Sequence, residues 1–232
     1  MSWVLGIDTS SIDLGVALFQ DNLPVASYSR FVRNSHAEHI SQIVKMILSA
    51  NSVEPQQVQH VAVSTGPGSF TGLRIGIAFA KGFCFGRDAL ICPVSSLMIL
   101  AHAGIMYQGK IVAAIDARND EVFYASFISS DRRLQRTSED LLCSSDQFRH
   151  LAASADVIIT DSMGYSRSTV FNFLEGNQGW FQVERYPFQR GFFCASIGAS
   201  LIQDFSVWKQ GTEILPNYLR QSSAQYKAGK MV

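Results

Sequence analysis

Two stretches of the chain gather residue types that do chemistry. The first is Asp8, which closes a short apolar run beside Thr9, Ser10 and Ser11. A carboxylate at a strand end can orient a metal-bound water or hold a loop, and the spacing alone leaves both open. Asp116 stands at the corresponding place in a second, similar run. The other stretch is Gly66 to Gly76, GPGSFTGLRIG. Its glycines do not follow the dinucleotide fingerprint. No Lys-Ser or Lys-Thr follows, as a Walker A loop requires. Pro67 and Thr71 stand where a nucleophile elbow around Ser69 would have glycines. What remains is a strand-to-helix turn whose backbone amides suit an anion. Asp8, Gly68, Ser69, Thr71 and Arg74 are then the candidate nucleotide or anion set. The plainer alternative is a turn that needs positive φ at glycine.

His36 and His39 flank Glu38 near a helix start. Such a pair can hold a metal only with ligands from elsewhere, and none is near in sequence, so a surface or interface role is expected and no metal site is assigned. Cys84, Cys92, Cys143 and Cys194 form no CxxC pair, which fits reduced thiols rather than a zinc site or disulfide framework. Gly72, Gly76 and Ala80 recur every fourth residue, so they share one helix face. Two glycines inside a helix cost about 1 kcal/mol each relative to alanine. Close packing of a backbone on that face would offset the cost, the partner being this chain's own first helix or a helix of another chain.

The elements that must carry these residues follow from periodicity. Trp3 to Asp8, Gly15 to Gln20 and Leu23 to Phe31 read as three antiparallel strands. Ser35 and Glu38 form a capping-box pattern, and Ile40, Ile43, Val44, Ile47 and Leu48 make the apolar stripe of an amphipathic helix. A buried strand, Val58 to Ser64, leads into the glycine motif and a helix from Phe70 to Phe85. A strand at Ala89 to Ile91 and a helix from Ser95 to Tyr107 close this half. The hairpin Lys110–Asp116 and Glu121–Ile128 restarts the opening pattern. Ser130 to Ser144 reads as loop, Asp146 to Ala153 as helix and Val157 to Asp161 as strand. Residues 164–193 resist assignment, Ala195 to Phe205 is a last helix, and Pro216 to Arg220 an extended tail. Two lobes follow, residues 1–108 and 109–232, with the last helix and tail expected to pack back on the first.

The 232 residues carry 19 basic and 19 acidic groups, and charged residues are 16% of the chain. That neutrality argues against a stand-alone nucleic-acid or anionic-membrane binder. The apolar content of 47% excludes intrinsic disorder. Residues 1–110 hold 7 basic and 6 acidic groups, residues 111–232 hold 12 and 13, so the first lobe is the charge-poor one. Its N-terminus lacks a basic leader, and its longest apolar stretch is broken by Pro93, Ser95, Ser96 and His102. A cytoplasmic location without membrane attachment is the expectation.

LGIDTSSIDLGVAL, SHAEHI, STGPGSFTGLRIG followed by AKG, AAIDARNDEVFYASF and LPNYLR, in that order along the chain, together resemble the TsaB (YeaZ) family. The resemblance implies an α/β, two-lobed, actin-like, Hsp70-like and sugar-kinase-like (ribonuclease H-like) fold with a degenerate second lobe. It implies a non-catalytic scaffold, without catalytic residues of its own, for the synthesis of N6-threonylcarbamoyladenosine at position 37 of tRNAs reading codons that start with A. The partner implied is a TsaD homologue, docked through first-lobe helices, which maps the interface onto His36, His39, Ile40, Ile43, Gly72, Ile75, Gly76, Phe79 and Ala80. A TsaE homologue would join the assembly, and ATP or ADP would bind only at that junction. Alone, the chain would pair with itself through the same helices, and tRNA would be a substrate of the complex. The rival readings are a glycoprotease-like hydrolase acting through Ser69 and an independent nucleotide-binding protein.

Overall fold

The computed structural model describes residues 2–32, 35–161, 171, 181–184 and 190–219. In the first lobe, β1 (Trp3–Asp8), β2 (Asp13–Gln20) and β3 (Leu23–Phe31) form an antiparallel meander. The β2–β3 turn is made by Asp21 and Asn22, both at positive φ, the backbone that two-residue hairpins favour. β4 (Val58–Gly66) and β5 (Leu90–Ser95) add in parallel on the other side of β1, giving the order β3-β2-β1-β4-β5. Alternation along these strands sends two sets of side chains to opposite faces. Leu5, Ile7, Val16, Leu18, Val61 and Val63 face α1 (His36–Ala50) and α2 (Phe70–Cys84). Val4, Ala17, Phe19 and Ala62 face the other way.

That second face is covered from far along the chain. Cys194, Ala195, Ile197 and Ala199 of the last helix close it, together with Trp208. This helix spans Arg190–Ser200 and lies so close that Gly191 meets the backbone of Gly15. Ile91 then bridges to Lys209 in an antiparallel pair.

The second lobe is built on β6 (Gly109–Arg118) and β7 (Glu121–Ser130), an antiparallel hairpin. The short strands β8 (Arg133–Arg136) and β9 (Leu141–Ser144) both pair with β7, and β10 (Val157–Asp161) and β11 (Phe181–Glu184) continue in parallel from β6. One face packs on α3 (Ser96–Ala101), the other on α4 (Ser145–Ala152) and Phe171. The Arg190–Ser200 helix is therefore α5.

Four readings are corrected. Ser130 to Ser144 is not loop throughout, because the ten-residue β7 offers backbone that β8 and β9 pair with. α3 stops at Ala101 and passes into a tighter turn at His102–Gly104, where Gly104 is tucked against Ile159 and Ile111. The last helix begins at Arg190, five residues ahead of expectation. Ser35 precedes α1 without a side-chain cap; at φ −130° and ψ 28° it lacks the extended backbone that aims an N-cap oxygen at the helix. Arg220 of the expected tail and most of 164–193 lie outside the described residues. Among the described residues, no helix is long and apolar enough to cross a membrane.

Candidate functional site

Asp8 ends β1 fully buried. One carboxylate oxygen accepts from the backbone N–H and the hydroxyl of Ser10, both at 2.8 Å. Arg190, at the start of α5, points Nε at the other oxygen from 3.4 Å and donates from Nη2 to Ser10 Oγ at 2.8 Å. Arg190 is 2% exposed. A buried carboxylate needs a compensating cation and hydrogen bonds to stay charged, and here the chain supplies both. Asp116, at the equivalent place in the second lobe, accepts from the Arg118 N–H at 2.6 Å and so shapes its own turn.

His36 lies under the β1–β2 turn instead of on the surface, a correction to the expected role. Burial pushes its pKa below the ordinary value, while the backbone of Asp13 and Ser11 and the carboxylate of Asp8 pull the other way. Among the described residues, its buried Nε2 meets no hydrogen-bond partner. His39 is half-buried on α1. Among the described residues, no three His, Cys, Asp or Glu side chains gather within reach of one metal ion.

The glycine motif closes down on the same turn. The Ser69 N–H donates to Ser10 O at 2.7 Å, and Thr9 Oγ1 donates to Gly72 O at 2.8 Å. A side chain at Gly68 would strike the carbonyl of Ser10, and one at Gly72 the carbonyl of Thr9. Ser69 Oγ accepts from the Gly72 N–H at 3.2 Å and thereby caps α2. Arg74 turns outward, donating to the Tyr218 hydroxyl at 2.8 Å and lying 3.9 Å over the Phe70 ring, and Thr71 is exposed. The five residues of the candidate anion set therefore do not converge. Asp8 is paired with Arg190 inside, Gly68 and Ser69 are engaged with Ser10, and Thr71 and Arg74 are outside. This arrangement clamps a loop, with one acceptor site of Ser69 Oγ committed to the α2 cap.

The candidate interface divides. Ile40 and Ile43 are core residues beneath α1. Gly72 and Gly76 press against Thr9, and Ala80 is fully buried. Ile40, Ile43, Ala80 and His36 are thus buried within the chain's own fold, and Gly72 and Gly76 pack on the β1–β2 turn, not on the first helix expected as their internal partner. His39, Ile75 and Phe79 remain half-buried at the surface. Between α1 and α2 runs a groove of about 720 Å³ lined in part by Val44, Leu48, Val53, Phe79, Phe83 and Arg87. The Arg87 guanidinium sits 4.7 Å from the centre of the Phe83 ring. Sequence reading missed Phe83 and Arg87, although the Phe79/Phe83 spacing of four was a usable signal. Burial pushes the Cys84 thiol up to about 11 and Cys92 to about 12, and Cys194 well above its ordinary value, so none of the three is a nucleophile near neutral pH.

A mixed sheet in the order β3-β2-β1-β4-β5, followed by a second lobe that restarts with a hairpin, defines a two-lobed protein of the actin-like, Hsp70-like and sugar-kinase-like class. Its strand-end carboxylate is answered by an internal arginine. A family model described as TsaD: tRNA N6-adenosine threonylcarbamoyltransferase matches residues 30–225, and the chain belongs to that family. Two relatives carry the name tRNA threonylcarbamoyladenosine biosynthesis protein TsaB. That of Bacillus subtilis is 33% identical over 137 residues, 59% of this chain and 60% of its own. That of Escherichia coli is 36% identical over 126 residues, 53% of this chain and 54% of its own. The matched region thus spans little more than half the length of these curated relatives. A crystal structure from Pseudomonas aeruginosa, described as an uncharacterized protein with similarity to peptidase YEAZ, superposes with a TM-score of 0.78 at 26% identity, covering 95% of this chain and all of the other.

Proposed function

We propose that this protein is a non-catalytic scaffold subunit for threonylcarbamoyladenosine synthesis at adenosine 37 of tRNA, acting by binding and activating a TsaD homologue. The observation that carries the reading is the strand-end site, where Arg190 and the glycine loop fill the space around Asp8 with the chain's own atoms. Such a site favours holding a shape over turning over a substrate. The docking surface is the outer side of α1 and α2, with Phe79 lining the groove and His39 and Ile75 half-buried on the same two helices. Interface cores are poor in charge, as this lobe is. A TsaE homologue joins the assembly, nucleotide binds at the shared junction, and the same surface pairs two copies when TsaD is absent. The protein works in the cytoplasm, and tRNA is gripped by the other subunits.

The test is a modification assay with a purified TsaD homologue, with and without this chain, alongside calorimetric titration of the pair. Ile75→Glu is expected to weaken the complex by more than about tenfold, since one charge desolvated at an interface costs several kcal/mol. Its melting temperature stays near that of the parent, because Ile75 is only half-buried. Full affinity in Ile75→Glu, or modification that proceeds equally well without the chain, overturns the proposal.

A further inference from the structure

The stretch after Ile214 crosses from one lobe to the other within three residues. Ile214 is 1% exposed and roots it in the first-lobe core. The Asn217 N–H donates to Thr65 O of β4 at 2.7 Å. Its side-chain amide donates to Asp140 Oδ2 of the second lobe at 3.2 Å. Tyr218 stacks on Phe70 of α2 with ring centres 4.8 Å apart, and Leu219 packs into the second-lobe cluster that holds Leu97, Leu100 and Phe127. The crossing lies directly on the glycine loop: a Cβ at Gly66 would stand 2.9 Å from the Asn217 carbonyl oxygen, and Gly66 has φ +117°. Asp140 is the node on the far side, accepting also from Ser95 Oγ at the end of β5 at 2.9 Å and from Arg136 at 2.7 Å.

We infer that residues 215–219 form a releasable strap that holds the two lobes together across the glycine loop. Several features make it releasable. Leu215 and Tyr218 are 72% and 41% exposed and Asn217 is exposed. Among the described residues, the strap is held by a few hydrogen bonds, one ring stack and the partly buried Leu219, and segments with few buried contacts open locally at low cost. Its two ends differ, since Ile214 is locked in the core while Leu219 is only partly buried. Release therefore proceeds from the Tyr218 side, freeing Arg74 and Phe70 on α2 and removing Asn217 from Asp140. Seam contacts through α3 and Ser95 remain at the junction, and the lobes gain freedom about it.

The experiment uses the full chain. Lys45→Cys in α1 and Asp131→Cys in the β7–β8 turn, both exposed, are spin-labelled in a Cys143→Ser background. The distance between labels is then measured with Tyr218 intact and in Tyr218→Ala and Tyr218→Phe, and hydrogen exchange is followed in the same proteins. Tyr218→Ala is expected to speed exchange of the Asn217 amide by more than about tenfold and to broaden the distance distribution or add a longer population. Tyr218→Phe keeps the stack and is expected to lie between. Amides inside α1 report the global fold and stay unchanged. The inference is overturned if the Asn217 amide exchanges no faster in Tyr218→Ala, or if it does so while the interlobe distance stays the same.

Discussion

At the level of single residues, the Asp8–Arg190 pair decides most. Removing one member of a buried pair leaves the other charge without compensation, so Arg190→Ala is expected to lose about 3–5 kcal/mol of stability, measured by urea unfolding. Three histidines set the pH dependence. His36, His60 and His102 all have pKa values pushed below the ordinary 6.5, chiefly by burial. A depressed histidine pKa means the unfolded chain binds the proton first. The stability these residues support is whole above pH 6.5 and falls as pH drops toward their folded values. The urea midpoint should therefore decline as pH falls below 6.5, and His102→Gln should flatten that decline. Asp8 was legible as a strand-end carboxylate, because the apolar run before it marks the strand. Arg190 was not, since its partner lies 182 residues away and no local period links them. The anion reading of GPGSFTG stumbled similarly: spacing shows where amides are free in an isolated turn, and the Ser10 carbonyl and Thr9 hydroxyl that engage the motif come from the distant β1–β2 turn.

At the level of elements, α2 carries a matched pair of tests. Gly76 lies under Thr9, and any Cβ there meets Thr9 Oγ1. Gly82, in the same helix, has open space around it. Alanine is the better helix former by about 1 kcal/mol, so Gly82→Ala should raise the urea midpoint. Gly76→Ala should lower it despite the same propensity gain. Equal effects of the two substitutions would show that the Thr9 contact is relieved at no cost. The α1 stripe and the β1–β3 meander were legible because one face of each is buried, which imposes a clean period. β8, β9 and the first turn of α5 were not. The two strands exist because β7 lends them backbone partners, and the first turn of α5 contains Gly191-Phe192-Phe193, which has low helix propensity and is held by the sheet it covers. Tertiary packing overrides propensity in both cases.

At the level of the whole molecule, the boundary drawn near residue 108 falls between the two sheets, while α5 from beyond it covers the first. Fragment 1–108 retains β1 to β5, α1 and α2, yet lacks α5, so Val4, Ala17, Phe19 and Ala62 face water. It should show no cooperative thermal transition, whereas the full chain should melt as one. A sharp calorimetric peak from the fragment would mean the lobe is autonomous. The two-lobe plan itself was readable from the restarted hairpin pattern; the return of the chain was foreseen only in outline, because the contacts that fix it span the whole sequence. That return also sets an order of events during synthesis. β1 and β2 leave the ribosome well before Arg190–Ser200, the helix that seals their second face. Throughout that interval the nascent sheet presents an uncovered apolar side, the kind of surface that invites aggregation or chaperone capture. An early-made sheet thus waits for a late-made helix to complete it.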